Sequence, residues 1–240
     1  MNNSRHMRDR NSPTAARPAT RRSLVSVDVV PLTPHGRRLT TLLIRSTDPR
    51  AKEKWELPWD TNRADEPLED AAARISRAAL GVAPTWIEQV GAFGDQRRHP
   101  GGADVSVGYM ALVPDGTPAP IGGTAAWFPV DELPLMAPRQ RAIIDAALHA
   151  MRSRLDESPI AFRLLPAIFT LSQLQEIYEI LLGRRLHKAS FRRALHAAWL
   201  VEPTDEWRSE GRGRPAQLFR YAPKKRRGGR RGVRFEELAG

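Results

Sequence analysis

The sequence predicts an α+β protein in two parts: a mixed sheet between helices, then a small domain of two helices and a hairpin. Three observations carry that expectation. Strand-type and helix-type segments do not alternate regularly but come as strands, helix, strands, helix. Leu171–Leu182 has the clearest helical periodicity in the chain, with a capping residue ahead of it and a glycine behind. Charge is unevenly distributed: the net charge is +11, yet residues 23–158 carry −3, while residues 1–22, 159–222 and 223–240 carry +5, +4 and +5.

Residues 1–22 lack hydrophobic periodicity, are rich in Arg, Asn, Pro and Ser, and read as a disordered basic tail. Residues 23–158 are expected to form the first domain. Ser23–Val30 and Leu39–Arg45 are apolar and β-branched, and Pro34-His35-Gly36 between them marks a turn. A helix is expected after Pro67, which suits its first turn, with Glu69 and Asp70 near the positive end of its dipole. Leu68, Ala72, Ile75 and Ala79 share one face of it, and Gly81 ends it. Trp86–Phe93 and Val105–Val113 follow as strands, joined by the loop Gly94–Asp104. Ala125–Val130 is the next strand, and Ile143, Ile144, Ala147, Leu148 and Met151 lie at helical spacing within Pro138–Arg154.

Asp156–Pro159 breaks that helix, so the second domain is placed at residues 159–222. Thr170 and Gln173 stand three apart, as a capping box requires, and Leu171, Leu174, Tyr178 and Leu181 form the apolar face behind them. After a turn at Gly183–His187 comes a second helix, Lys188–Trp199, with Phe191, Ala194, Leu195 and Ala198 turned inward. Trp199, Phe169 and Phe191 are expected in the core. Leu200–Pro203 and Gln217–Tyr221 read as two short strands around a basic loop, Thr204–Ala216. Helix, turn, helix, then a basic hairpin is the order of a winged helix-turn-helix. Residues 223–240, starting PKKRRGGRRGVR, read as a basic tail that clings to phosphates without sequence preference.

Composition excludes several classes. With no cysteine there are no disulfides, no thiolate zinc sites and no cysteine nucleophile, a usage compatible with the cytoplasm. No run approaches the ~20 apolar residues of a membrane span. The first residues show no apolar signal-peptide region. The cationic surplus outside the first domain points to a polyanionic partner.

The stretch Leu57–Val82 (LPWDTNRADEPLEDAAARISRAALGV) has the skeleton of a Nudix box, which holds Mg²⁺ against a pyrophosphate. Anchored on Gly81-Val82, the register matches Glu66, Arg74, Gly81 and Val82. It places Asp60 where the first Gly belongs and Ile75, Ala78 and Ala79 where three glutamates belong. Positions 75, 78 and 79 fall on one helix face. A hard cation needs oxygen ligands there, and this face offers hydrocarbon. Neither metal ligands nor catalytic residues are therefore assigned, and no cofactor is expected. Acids elsewhere (Glu66, Glu69, Asp70, Glu88, Asp95, Asp104) have no spacing that specifies a metal site. A pyrophosphohydrolase with an atypical metal site stays as the enzymatic alternative, and a non-specific nucleic-acid binder acting through its tails as the other.

Taken with the second domain, the chain resembles the NrtR family of Nudix-related transcriptional regulators. AFRLLPAIFTLSQLQEIYEILLGRRLHKASFRRAL and GRPAQLFR carry the resemblance most closely, and IEQVGAFGD, VSVGYMALV and AWFPVDELP extend it into the first domain. The resemblance implies a Nudix-type mixed sheet between helices, a C-terminal winged helix, and a homodimeric repressor of NAD-metabolism genes that binds a palindromic operator in double-stranded DNA. It also implies ADP-ribose or a related NAD metabolite as effector. The chain departs from the family at Pro100-Gly101-Gly102, where Pro-Arg-Gly is usual. It departs again at Met136–Gln140, where Leu-Ala-Phe-Asp-His is usual.

Candidate DNA-binding residues are Lys188, Ser190, Arg192 and Arg193 on the second helix, whose N-terminal part enters the major groove, with Arg212, Arg214 and Gln217 on or near the wing. Of two adjacent arginines about 100° apart round a helix, one reaches a base edge while the other takes a phosphate. His196 is read as a surface residue without a special role. Candidate effector-binding residues are Arg74, Arg97 and Arg98. Arg74 has a second reading, holding the loop through Glu66.

Overall fold

The structure, a computed structural model, describes residues 23–49, 51–119, 123–155, 158–209 and 215–222. Both basic tails, Arg212 and Arg214 lie outside the described residues. In chain order the first part runs β1 (Val25–His35), β2 (Arg38–Arg45), β3 (Trp55–Glu56), β4 (Trp59–Thr61), α1 (Leu68–Leu80), β5 (Trp86–Phe93), β6 (Val105–Leu112), β7 (Ala125–Pro129) and α2 (Pro138–Leu155). Strand β1 is the axis. It pairs antiparallel with β2 through Leu32–His35 and with β4 through Ser26–Asp28, and it runs parallel to β6 from Val25 to Leu32. Beyond these, β5 pairs with β6, while β3 and β7 pair with β2.

The two-residue period of the strands decides which helix covers which face. Val27 and Val29 of β1, with Val107, Tyr109 and Ala111 of β6, pack under Ala71, Ala72 and Ile75 of α1. Val30 and Leu32, with Met110 and Leu112, pack under Ile143, Ile144, Ala147 and Met151 of α2. Ser26 and Asp28 share the α2 face by the same parity, so polar side chains are buried at one end of it. Gly108 lets α2 come close: a Cβ there would sit 2.7 Å from Ile143 Cγ2.

A 3₁₀ turn, Ile160–Leu164, leads into β8 (Ile168–Thr170), α3 (Leu171–Leu182), α4 (Lys188–Ala198), β9 (Val201–Arg208) and β10 (Ala216–Tyr221). The three strands form an antiparallel sheet in the order β8-β10-β9. The capping box is present. Thr170 Oγ1 accepts from the Gln173 amide at 3.1 Å, and Gln173 Oε1 accepts from the Thr170 amide at 2.9 Å. An N-cap of this kind stabilises a helix by about 1 kcal/mol. Phe162, Phe169, Tyr178, Phe191 and Leu195 fill this half and continue without a break through Ile160 into Met151 and Leu155 at the end of α2.

Two expectations are corrected and one strand is added. Trp199 is not in the core: α4 stops at Ala198, Trp199 takes a left-handed C-cap conformation (φ 53°), and its residue is 57% exposed. The wing strand β9 runs on to Arg208, so half of the expected loop is paired backbone. Strand β8 was not foreseen, because three residues are too few to show a period and only pairing with β10 defines them.

Candidate functional site

Two recesses adjoin beside the C-terminal end of β2. The first, about 550 Å³, is lined by Ile44, Arg45, Pro58, Trp59, Asp60, Arg74, Ile75, Ala78 and Ala79 among others. The second, about 700 Å³, lies across Trp59 and includes Glu53, Glu56, Arg98, Pro100 and Gly101. Ser46, Thr47 and Trp59 line both. Trp59 is wedged so tightly that a Cβ on Gly101 would meet its ring at 2.0 Å, and its indole packs edge-on to His99 with centroids 4.8 Å apart. Glycine at position 101 is therefore a steric requirement of the tryptophan at position 59.

The divalent cation of the Nudix pattern does not fit this floor. Ile75 is buried, Ala79 half-buried and Ala78 exposed, and none of the three offers an oxygen. The neighbouring acids are engaged. Arg74 Nε and Nη2 donate to the two oxygens of Glu66 at 2.7 and 2.9 Å, and Nη1 donates to Asp60 Oδ2 at 2.7 Å. These bonds from Arg74 pull the Glu66 carboxyl from its ordinary 4.5 to about 2 and raise the guanidinium's own pKa. Among the described residues no group of three His or carboxylate side chains is placed to hold a metal ion.

The three arginines proposed for an effector do not converge. Arg74 lines the first recess and Arg98 the second, where Arg98 pairs with Glu53. Arg97 lines neither and pairs with Asp95 at 2.7 Å.

Behind the second recess lies a polar cluster that the sequence did not disclose. Asp28, fully buried, accepts from Ser26 Oγ at 2.8 Å, His99 Nε2 at 2.9 Å and Gln140 Nε2 at 2.9 Å. Gln140 Oε1 in turn accepts from the Leu57 amide at 3.0 Å. His99 Nδ1 accepts from the Gly101 amide at 3.1 Å, which leaves the ring proton on Nε2, facing Asp28. Arg139, also buried, donates to the carbonyls of Ala103 and Asp95 and so ties down both ends of the loop that carries Arg97 and Arg98. Beside the cluster, burial raises the pKa of Glu56 against a hydrogen bond from Trp59 that lowers it. The only advance signal was that Arg139 and Gln140 stand where the resembling family has Asp and His.

On the second domain, α4 turns Phe191 and Leu195 into the core and presents Lys188, Arg192 and Arg193 outward, all exposed. No carboxylate pairs with any of these three among the described residues. Ser190 is half-buried and within 3.1 Å of His187 Nδ1. Gln217 sits on the wing opposite Trp207 and donates to Thr204 O at 3.4 Å. Arg208, unassigned from sequence, leans back to Gln173 Oε1 at 3.4 Å. Glu179 was also missed: its side chain accepts from the Leu186 amide at 3.0 Å and from Gln175 Nε2 at 2.9 Å, at the turn before α4.

Comparison with known proteins places both halves. The NrtR DNA-binding winged helix domain matches residues 161–221, and the NUDIX domain matches residues 22–147. A protein of Acinetobacter baylyi described as an ADPR responsive transcriptional repressor, NtrR, is 31% identical over 206 residues, 83% of this chain and 82% of its own. The crystal structure of Shewanella oneidensis NrtR complexed with a 27mer DNA has a TM-score of 0.71 at 32% identity, covering 83% of this chain and 94% of the other. A further crystal structure of the Shewanella oneidensis protein has the same TM-score at 29% identity, with the same coverage.

Proposed function

This chain belongs to the NrtR family of Nudix-related transcriptional regulators, and on that premise we propose that it is a DNA-binding repressor whose first domain senses a nucleotide without hydrolysing it. One observation carries the DNA-binding part: the second helix of a helix-turn-helix exposes Lys188, Arg192 and Arg193, and among the described residues no carboxylate pairs with them. An unpaired guanidinium is available for bidentate recognition of guanine, worth about 1–3 kcal/mol of discrimination per good pair. The related Shewanella oneidensis NrtR, solved with a 27mer DNA, supports that assignment.

Residues 23–158 form the sensing and dimerisation part and residues 159–222 the reading part. A two-fold dimer sets two recognition helices on a pseudo-palindrome with half-sites about 34 Å apart, or a multiple of that distance. Lys188, Ser190, Arg192 and Arg193 meet bases and phosphates; Gln217, with Arg212 and Arg214, serves the flanking backbone. The effector is ADP-ribose or a close relative, by likeness to the ADPR responsive repressor of Acinetobacter baylyi. The regulated genes are those of NAD metabolism, and the protein acts in the cytoplasm. No helix among the described residues is long and apolar enough to cross a membrane. The first domain lacks hydrolase activity because Ile75, Ala78 and Ala79 leave Mg²⁺ without oxygen ligands.

Selection of duplexes from a random library by the full chain, followed by footprinting, tests the DNA reading. A protected inverted repeat, lost in Arg192→Ala or Arg193→Ala, is expected. Equal affinity for every duplex would overturn it in favour of non-specific binding. Incubation with ADP-ribose or NADH and Mg²⁺ or Mn²⁺ tests the rest: no turnover is expected, and turnover abolished by Glu66→Gln would make the chain an enzyme.

A further inference from the structure

The turn between α3 and α4 is held by Glu179 together with Gln175, whose Nε2 also donates to the Leu186 carbonyl at 3.0 Å. Glu179, whose side chain is only 10% exposed, accepts from the Leu186 amide and Gln175 Nε2, and pairs with Arg185 at 3.2 Å. Burial alone would raise its pKa; the Leu186 amide, Gln175 and Arg185 outweigh that and hold it below the ordinary value. This carboxylate therefore ties down the backbone amide two residues before α4 begins.

The same carboxylate is touched from the first domain. Gly36 and Arg37 form a two-residue hairpin turn between β1 and β2, with φ of 56° and 65°. Positive φ at both positions is what a type I′ turn needs, and it favours Asn or Gly. An arginine in the second position is strained, and strain of this kind persists where the surroundings hold it. Its side chain reaches α3: Arg37 Nη1 donates to Glu176 Oε1 at 2.7 Å, and Nη2 lies 3.9 Å from Glu179 Oε2. From Arg38, next to that turn, β2 runs about 23 Å as a paired strand to Ile44 and Arg45, which line the first recess.

We propose that Glu179 is a positioning residue for the recognition helix, and that Arg37 is the contact through which the first domain, by way of β2, sets that position. The proposal rests on the repressor-and-sensor reading above. It adds a route: a ligand that moves Ile44 and Arg45 displaces the hairpin turn, loosens Arg37 from Glu176 and Glu179, and alters the pose of α4. A strand paired on both edges moves as a body, so displacement at one end reaches the other.

The test uses the full chain, the duplex selected above and an unrelated duplex. Glu179→Gln is expected to weaken the selected duplex about tenfold, as for loss of hydrogen bonds to a charged acceptor, and to leave the unrelated duplex unchanged. Arg37→Ala is expected to weaken it roughly threefold, as for an exposed ion pair, with Arg37→Lys restoring most of the loss. Exchanging the charges, Arg37→Glu with Glu176→Arg, should recover affinity that each single change loses. In hydrogen exchange the Leu186 amide should exchange faster in Arg37→Ala at unchanged circular dichroism. Wild-type exchange at Leu186 together with wild-type affinity in Arg37→Ala overturns the link, and wild-type affinity in Glu179→Gln overturns the positioning role. With ADP-ribose as probe, wild type should change its affinity for the duplex and Arg37→Ala should not. Failure to select any duplex, or no ADP-ribose effect on wild type, counts against the repressor-and-sensor reading, while Leu186 exchange still decides the link.

Discussion

The recesses of the first domain and helix α4 of the second use arginine in opposite ways. In the first domain Arg74 is spent on Asp60 and Glu66, Arg97 on Asp95 and Arg98 on Glu53, and Arg139 is buried against backbone carbonyls. On α4 the cations Lys188, Arg192 and Arg193 project into solvent, and among the described residues no carboxylate pairs with them. A paired guanidinium has its donors occupied and its charge neutralised, so it organises the fold. An unpaired one still holds both for a phosphate or a base edge. Counting arginines cannot distinguish the two uses; partners can.

The contrast predicts where stability and binding reside. The largest loss of stability is expected from Asp28→Ala, which leaves His99 and Gln140 without their shared acceptor in the core, while Ser26 keeps Ser106 Oγ at 2.9 Å. Unsatisfied buried donors cost about 1–3 kcal/mol each, so a denaturant melt should show about 3 kcal/mol or more. Next, Arg192→Ala and Arg193→Ala should each cost about 1–3 kcal/mol of operator binding if they meet a base. A phosphate contact instead lowers the slope of log affinity against log salt by about one. Neither should move the melting temperature. That separation is the sharpest form of the comparison, and a shared loss of folding would break it.

Arg74→Ala should do the reverse, lowering the melting temperature by roughly 2–4 °C with operator affinity unchanged. It also has a pH signature. Glu66 has its pKa lowered to about 2 in the fold, so its contribution is complete above the ordinary 4.5 and is lost as pH falls from there towards 2. Wild type should therefore lose stability across that window, and Arg74→Ala should lose less. The smallest effect belongs to Arg97→Ala, an exposed pair on a loop, at about 0.5 kcal/mol or less in a thermal melt.

Much of the fold was readable because local rules and tertiary packing agree. Leu171–Leu182 carries its cap, its apolar face and its stop within fourteen residues, and α3 forms where those signals place it. The box helix likewise starts after Pro67 and ends at Gly81. Trp199 misled because an aromatic at the end of an amphipathic helix reads as core, whereas a left-handed cap swings it out of the helical face. Strand β8 had no period to read. Asp28, Ser26 and His99 went unnoticed for a different reason: one acid in a strand and one histidine in a loop, seventy-one positions apart, have no local relation to each other.

By itself the sequence determined the order of the helices and longer strands, the resemblance of both halves to one family and the hydrocarbon side chains at positions 75, 78 and 79. These rest on side-chain type and short-range spacing, which the chain carries in one dimension. Only the tertiary structure decided which charges are neutralised, that Trp59 leaves no room for a side chain at position 101, and that a hairpin turn in one half meets helix α3 of the other. Those are distances between residues far apart in the chain. They exist only once β1 has brought β2, β4 and β6 together and α2 has joined the two cores.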